Sequence, residues 1–380
     1  MAERILLVNR FFGGAQTPTG RMLEDVARRL VEAGHHVEVL TSAAAYAGAD
    51  GAAEVPVARV RTVWTPKQGR LGPWVAFLMQ AALRIPFLPW DRCVLLTDPP
   101  MLLTAALGMR KRNRRLYWWT MDLYPEALAS HGMLKEDGLA YRMLARLNTA
   151  ALRRLDGVVT LGACQTERLD AYPTWSAVEA HVEVPPWDYR PLLRVERSAN
   201  RLLNAQGWQD RRVVLYAGNI GEAHSFEEAL GAARLLAADP ASRWMFAFVV
   251  RGAQRDALEA AAADLPNVVV LDYLPPEQTA DLLWSADVHL ITMRPGWEGI
   301  VVPSKLYGVL MTDAPVLFIG PPEADTAREI RRLGRGTVLP ADAPAEDVRE
   351  AIEWLGATEA SSGQRPDRTA PETIAAFVTA

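Results

Sequence analysis

The sequence predicts an α/β protein made of two doubly wound parallel sheets in tandem. Three observations carry this reading. The chain has 380 residues, above the roughly 100–200 residues of one domain. Short apolar runs alternate with stretches of helical apolar spacing, as when buried parallel strands are separated by helices. The alternation opens with a strand and a glycine-bearing loop, and it begins again near residue 213.

In chain order, 5–8 is a short apolar run between polar residues, and Gly13 and Gly14 follow in a loop. Met22, Val26 and Leu30 then share one helix face, Gly34 stands where a helix stop belongs, and 36–40 reads as the next strand. The same alternation gives strands over 93–96, 116–120 and 158–161, with one helix from about Met101 and another ending near Leu155. In the second half, 213–216 is a strand, Gly218 and Gly221 form a loop, and Ser225 with Glu228 reads as a capping box. Further strands are expected over 246–250, 268–271, 288–292 and 315–319. The joint is expected within 184–194, which is proline-rich and lacks either periodicity. Residues 1–188 and 189–368 are thus read as two Rossmann-like domains, with a last helix in 369–380 packing back on the first.

Half the residues are apolar and 23% are charged, which suits a globular protein with sizeable cores. A net charge of −4 gives no whole-chain attraction to nucleic acid. Cys93 and Cys164 are the only cysteines and lie far apart, so neither a disulfide framework nor a structural zinc site is expected, and a reducing compartment is. Glu3 and Arg4 precede the first apolar run, which does not read as a signal peptide. The most apolar stretch, 71–90, is interrupted by Gln80, Arg84, Pro86 and Pro89. It falls short of the ~20 apolar residues of a bilayer span, so the expected place is the cytoplasm, at most against the inner face of the membrane.

Arg110, Lys111, Arg112, Arg114 and Arg115 put five positive charges into six positions. With Trp74, Phe77, Leu78 and Trp90 they would form a lipid-facing patch. The alternative is a buried helix over 71–83 beside a solvated basic loop.

Asp-x-Asp, His-x-x-x-His and P-loop patterns are absent, so metal-dependent donor binding and phosphoryl transfer from ATP have no support in the sequence. Four places could carry chemistry. Gly13 and Gly14 offer either backbone N–H groups for an anion or a tight turn. Gly218, Asn219 and Gly221 precede one helix, and Ser304 and Lys305 open another. A lysine in a first helical turn opposes the helix dipole, whereas a bound diphosphate would account for it. Asp122 falls just past a strand's carboxyl end, where open α/β sheets bind ligands and where helix N-caps also occur. Glu298 sits in a glycine-bearing loop after another strand.

Taken together these segments resemble the retaining glycosyltransferases of family 4, over roughly residues 4–340. The matching pieces are Phe12-Gly13-Gly14, GHHVEVLTS from Gly34, DLYPE from Asp122, PWD from Pro186, YAGNIG from Tyr216, LPNVVVLDYL from Leu265 and PSKLYG from Pro303. DLYPE and VPSKLYG look most like a bacterial subgroup that builds O-antigens, capsules and exopolysaccharides. The resemblance implies the GT-B fold, two Rossmann-like domains facing a cleft. It implies transfer from a nucleotide-sugar, UDP- or GDP-linked, to a polyprenyl-diphosphate-linked or polysaccharide acceptor, with retention and without an obligatory metal.

By the same resemblance Asp122, Lys305 and Glu298 would be catalytic, and Gly13 and Gly14 an acceptor-side phosphate loop. Gly218, Asn219, Gly221, Arg251, Tyr273, Leu274, Gly299, Ser304 and Lys305 would bind the donor. The chain departs from the family in several places. Asn219 and the Ala223, His224 region replace a usual Arg and Lys, Gly308 replaces the second glutamate, and Met121 replaces the histidine before the aspartate. Lys305 and Arg251 remain as the basic candidates for the diphosphate. Two other readings share the fold: a sugar-nucleotide epimerase or hydrolase, and a non-catalytic subunit regulating a partner transferase.

Overall fold

The computed structural model describes residues 2–13, 17–42, 57, 59–66, 69, 71–109, 113–187, 192–302, 305–358, 366 and 368–380. The chain divides into two compact units. Met1–Trp187, Gly299–Val302 and Arg368–Ala380 form the first, and Asp188–Glu298 with Pro303–Asp367 the second.

The first unit runs β1 (Arg4–Val8), α1 (Pro18–Glu32), β2 (His36–Ser42), β3 (Arg59–Val63), α2 (Leu71–Arg84), β4 (Arg92–Leu95), β5 (Arg115–Trp119), α3 (Glu126–Ser130), α4 (Leu139–Leu152), β6 (Gly157–Thr160), α5 (Ala163–Leu169) and β7 (Ala180–Glu183). Its sheet has the order β3-β2-β1-β4-β5-β6-β7, and every pairing is parallel. α1 starts on Thr17, whose hydroxyl accepts from Gly20 N at 3.1 Å, with Pro18 in the first turn. Met22, Val26 and Leu30 are buried on its inner face, and Gly34 leaves the helix at φ +88°.

The helix expected from about Met101 is instead a 3-10 turn, Leu102–Gly108. Met101 adopts φ +65° directly after Pro99 and Pro100, and this left-handed residue turns the chain before an α-helix can start.

The terminal helix Ala370–Thr379 belongs to this unit. Buried Arg92 donates to Val378 O at 2.6 Å, to Tyr117 Oη at 2.8 Å and to Glu3 at 2.6 Å. Phe377 meets Tyr117 edge-on at 5.8 Å, and Arg29 pairs with Glu372 at 2.8 Å.

The second unit runs α6 (Arg201–Gln206), β8 (Arg212–Asn219), α7 (Glu227–Ala238), β9 (Trp244–Arg251), α8 (Arg255–Ala262), β10 (Val268–Leu271), α9 (Thr279–Leu283), β11 (Val288–Thr292), α10 (Lys305–Val309), β12 (Val316–Ile319), α11 (Asp325–Leu333), β13 (Gly336–Leu339) and α12 (Ala345–Ala357). The sheet order is β10-β9-β8-β11-β12-β13, again all parallel.

Both faces of this sheet are covered. Val214, Tyr216, Phe246 and Phe248 enter one core cluster, while Val213, Leu215, Met245 and Ala247 enter another. This is why the strands read as unbroken apolar runs rather than alternating ones. Ser225 does not cap α7 as a box. Its hydroxyl donates to the Glu228 carboxylate at 3.0 Å, and Phe226, which has no acceptor, occupies the cap position.

Candidate functional site

In an open parallel sheet the chain leaves neighbouring strands in opposite directions at one point, and the loops there open a crevice beyond the carboxyl ends. The first sheet reverses between β1 and β4, the second between β8 and β11.

At the reversal in the second unit, β8 ends in Tyr216, Ala217, Gly218 and Asn219. The Lys305 side chain arrives from the start of α10 and lies across Gly218. A Cβ built there would stand 3.3 Å from Lys305 Cε and Nζ and press on the lysine, and the φ of +147° at Gly218 favours glycine. The ammonium sits 3.9 Å from the centroid of the Tyr216 ring and donates to its hydroxyl, which in turn donates to Asn219 O at 3.2 Å. Burial, with no carboxylate partner among the described residues, pulls Lys305 down to about 7.

His224 closes the other side, with its Nδ1 2.8 Å from Thr292 O at the end of β11. A carbonyl only accepts, so Nδ1 carries the proton and Nε2 is left as an acceptor. Burial first, and the Lys305 charge second, hold His224 at about 3, neutral at ordinary pH.

Arg251 stands opposite Asn219 in the β8–β9 pairing, with its guanidinium 4.4 Å from the Tyr273 ring centroid. The expected residues Gly218, Asn219, Arg251, Tyr273 and Lys305 are therefore gathered at the carboxyl edge of one sheet. Gly221 begins the turn that carries His224, accepting from its backbone N–H at 3.1 Å. Leu274 packs into the apolar cluster around Leu203 and Trp208. Glu298 turns back on its own loop, accepting from Gly296 N at 3.1 Å. Gly299 groups with the first unit, where a Cβ would come within 2.2 Å of Cys164 O, so packing accounts for this glycine. Ser304 lies outside the described residues.

At the reversal in the first unit, Arg10 follows β1 and Asp98 follows β4. Their side chains form a forked ion pair at 2.7 and 3.2 Å. Asp122 comes three residues beyond Trp119, the last residue of β5. Burial, then the neighbouring Asp98, raise its carboxyl to about 6. Its loop is tied by Leu123 N to Ile300 O at 3.1 Å. Asp122 is not a helix cap, since α3 starts at Pro125 without a side-chain cap. Gly13 has φ +68° and spends its N–H on Gly20 O at 3.3 Å, the behaviour of a turn glycine rather than an anion donor. Gly14 lies outside the described residues.

Sequence reasoning missed Tyr216, Arg10 and Asp98. Tyr216 read as one more strand residue, and nothing local marked the Arg10–Asp98 pair, whose members are 88 positions apart.

The basic run divides as well. Arg110, Lys111 and Arg112 lie outside the described residues. Arg114 donates to Pro86 O and Leu88 O at 3.3 Å and covers the Trp90 ring at 4.6 Å. Phe77 and Trp90, expected to face lipid, are buried in the core, and Trp74 and Leu78 are half-buried. Among the described residues no helix is long and apolar enough to cross a membrane, and no cluster of His, Cys, Asp or Glu suits a metal ion.

Residues 19–187 match the glycosyl transferase 4-like domain family. A probable glycosyltransferase, WbjE of Pseudomonas aeruginosa, is 29% identical over 266 residues, covering 67% of this chain and 62% of its own length. A putative colanic acid biosynthesis glycosyl transferase, WcaI of Escherichia coli (strain K12), is 26% identical over 220 residues, covering 56% and 52%. The matched region thus spans under two thirds of each of these relatives.

Among solved structures, WaaG, a glycosyltransferase involved in lipopolysaccharide biosynthesis, superposes with a TM-score of 0.66 at 18% identity, covering 99% of both chains. Anabaena HepE in complex with UDP and glucose gives 0.66 at 15% identity, covering 99% of this chain and 93% of its own.

Proposed function

We propose that this chain, a glycosyl transferase 4-like protein of the GT-B fold, is a transferase of bacterial surface-glycan synthesis. It moves a sugar from a nucleoside-diphosphate donor to a lipid-linked or polysaccharide acceptor with retention of configuration. One observation carries the reading: a half-buried ammonium, Lys305, with no carboxylate partner among the described residues, lies over a glycine at the switch point of the second sheet. A cation kept there without a carboxylate is an incomplete ion pair, and a diphosphate completes it. The solved HepE structure, with its UDP and glucose, supports a ligand of this class for the fold.

In transfer, negative charge develops on the departing diphosphate and positive charge on the sugar. Lys305 meets the first, with Arg251 at the rim and the backbone around Gly218, Asn219 and Gly221 against the phosphates. Neutral His224 offers an acceptor nitrogen to a sugar hydroxyl. Asp122 is the acceptor-side carboxylate, and a group titrating near 6 suits taking a proton from an acceptor hydroxyl. Glu298, Gly299, Ser304 and Gly14 complete the residues the family resemblance nominates. Membrane contact through Arg110, Lys111, Arg112 and Arg115 belongs to the same proposal, because a lipid-linked acceptor resides at a bilayer.

The test is calorimetric titration with UDP and GDP, followed by a panel of nucleotide-sugars with mass analysis of the product. Binding of a nucleoside diphosphate together with acceptor-dependent release supports transfer. Donor breakdown or isomerisation without acceptor points to the epimerase or hydrolase reading. Absence of nucleotide binding leaves the regulatory subunit, the reading favoured by Gly308 standing where the family has a glutamate.

A further inference from the structure

Fourteen large apolar side chains are exposed among the described residues, and eleven of them belong to the first unit. Most are not scattered. Leu71, Val75, Met79 and Leu83 recur every fourth residue along α2, and their exposures run from 57% to 65%. The opposite face of that helix buries Pro73, Phe77 and Ala81. Helix α4 repeats the pattern, with Leu139 at 80%, Met143 at 58% and Leu147 at 36%. Its inner face buries Asn148, Ala151 and Leu152. The 3-10 turn Leu102–Gly108 packs against both helices and exposes Leu107 between them. A helix on a globular surface normally turns polar residues outward. Here two neighbouring helices, and the turn bridging them, turn an apolar ridge outward.

The charge pattern selects the occupant. The three elements carry Arg84, Arg142 and Arg146, all exposed, and neither an aspartate nor a glutamate, although acidic residues outnumber basic ones in the whole chain, 45 to 41. Beside the α2 ridge, Leu83, Arg84 and Phe87 also line a groove of about 500 Å³ that adds Arg59, while Arg61 in the same groove is paired with Glu38. Leucine and methionine at the centre with arginine around them match a surface that is apolar inside and anionic at its rim. An isologous contact with a second copy would instead bring arginine against arginine.

We infer that this face of the first unit is seated on an anionic lipid bilayer, with the α2 and α4 ridges entering the headgroup–acyl boundary and Arg84, Arg142 and Arg146 meeting lipid phosphates. The protein lies on the membrane, and the contact is made chiefly by two helices rather than by the basic run after the 3-10 turn. The inference extends the membrane contact proposed above, and it is independent of the donor site.

Vesicle co-sedimentation of the full chain tests it, with phosphatidylcholine alone and with phosphatidylglycerol added, alongside Val75→Glu/Met79→Glu, Leu139→Glu/Met143→Glu and Arg142→Ser/Arg146→Ser variants. The wild-type chain should sediment with the anionic vesicles and much less with the neutral ones. Each double Glu variant should lose binding by about a hundredfold, from the apolar area left in water. The arginine pair should cost about fivefold per residue at low salt, and less as salt rises. All these side chains are exposed, so melting temperature and UDP binding should not move, and loss of lipid binding is thereby separated from loss of fold or of the donor site. Equal sedimentation of wild type and both Glu variants overturns the inference. So does a wild-type dimer that the Glu variants convert to monomer while vesicle binding stays the same.

Discussion

Lys305 offers the sharpest test of the proposed donor site, because its position there would make nucleotide binding depend on pH in a calculable way. With the lysine at about 7 in the free protein, only the protonated fraction is ready for a diphosphate. The bound phosphate then holds the proton on. If only that fraction binds, the apparent dissociation constant scales as one plus ten to the power of pH minus 7, a weakening of about fiftyfold between pH 7 and pH 9. The terminal phosphate of UDP loses its last proton near pH ~6, so the nucleotide stays fully ionised over that window.

Lys305→Arg should bind UDP with little pH dependence, since arginine does not titrate there. Lys305→Met keeps the aliphatic stem against Tyr216 and should also be flat, but weak throughout. In turnover it should lose kcat together with kcat/KM, by roughly a hundredfold to a thousandfold, the scale of one preorganised charge-stabilising donor. Titration calorimetry from pH 7 to 9, repeated in buffers of different ionisation enthalpy, reads both the affinity and the proton taken up. A Lys305→Met protein with the wild-type slope and wild-type turnover would refute the reasoning and pass the role to Arg251 or to backbone N–H groups.

Asp122→Asn should lower kcat/KM by about a hundredfold or more without changing UDP affinity. In the wild type, a carboxyl at about 6 should give a rate that falls as pH drops below 6 and that the Asn variant no longer shows. Gly308→Glu has open space around its Cβ, so it should fold normally, and tighter UDP binding would show that ribose is read at this helix; unchanged affinity would deny it. Gly157→Ala would put a Cβ 2.8 Å from Phe377 Cζ and 2.9 Å from Tyr117 Cδ1. It should cost about 1–3 kcal/mol in thermal or urea unfolding, and Phe377→Leu in the same chain should recover part of it, the contact with Tyr117 remaining. His224 and His289 are both held near 3, chiefly by burial. The folded state therefore binds fewer protons than the unfolded one between pH 6.5 and 3, and stability should fall through that window on acidification. His289→Gln should flatten the fall, and an unchanged profile would deny that His289 contributes.

Strands and helices were legible because both sheets are covered on two faces. Burial on both sides writes a strand as a continuous apolar run such as 213–216 or 246–250, and burial on one side writes α1 as Met22, Val26 and Leu30. The misreadings fall where local pattern and tertiary placement part. The apolar stretch at 71–90 announced a hydrophobic helix, but periodicity alone does not say which face is inward. Phe77 proved to be core, and Leu71, Val75, Met79 and Leu83 surface. Arg114 read as a lipid-facing or solvated charge because its partners are backbone carbonyls 26 and 28 residues away. Ser225 had the spacing of a capping box, but the chain enters α7 one residue later, at Phe226.

The candidate site was legible in its glycines and its lysine but not in its logic, and topology explains the difference. Gly218 and Lys305 are 87 positions apart in sequence, yet one lies at the end of β8 and the other on the path from β11 to β12. β8 and β11 are neighbours only because the sheet grows in opposite directions from that point. The same reversal between β1 and β4 joins Arg10 to Asp98. Neither meeting leaves a local signal, because strand order is set by the crossovers and not by the strands themselves. Once the orders are known, the two carboxyl-end crevices are fixed before any side chain is considered. What then supports the proposed ligand site in the second crevice is electrostatic. It holds a lysine with no carboxylate partner among the described residues and a histidine kept neutral, where a structural role would have supplied a partner charge.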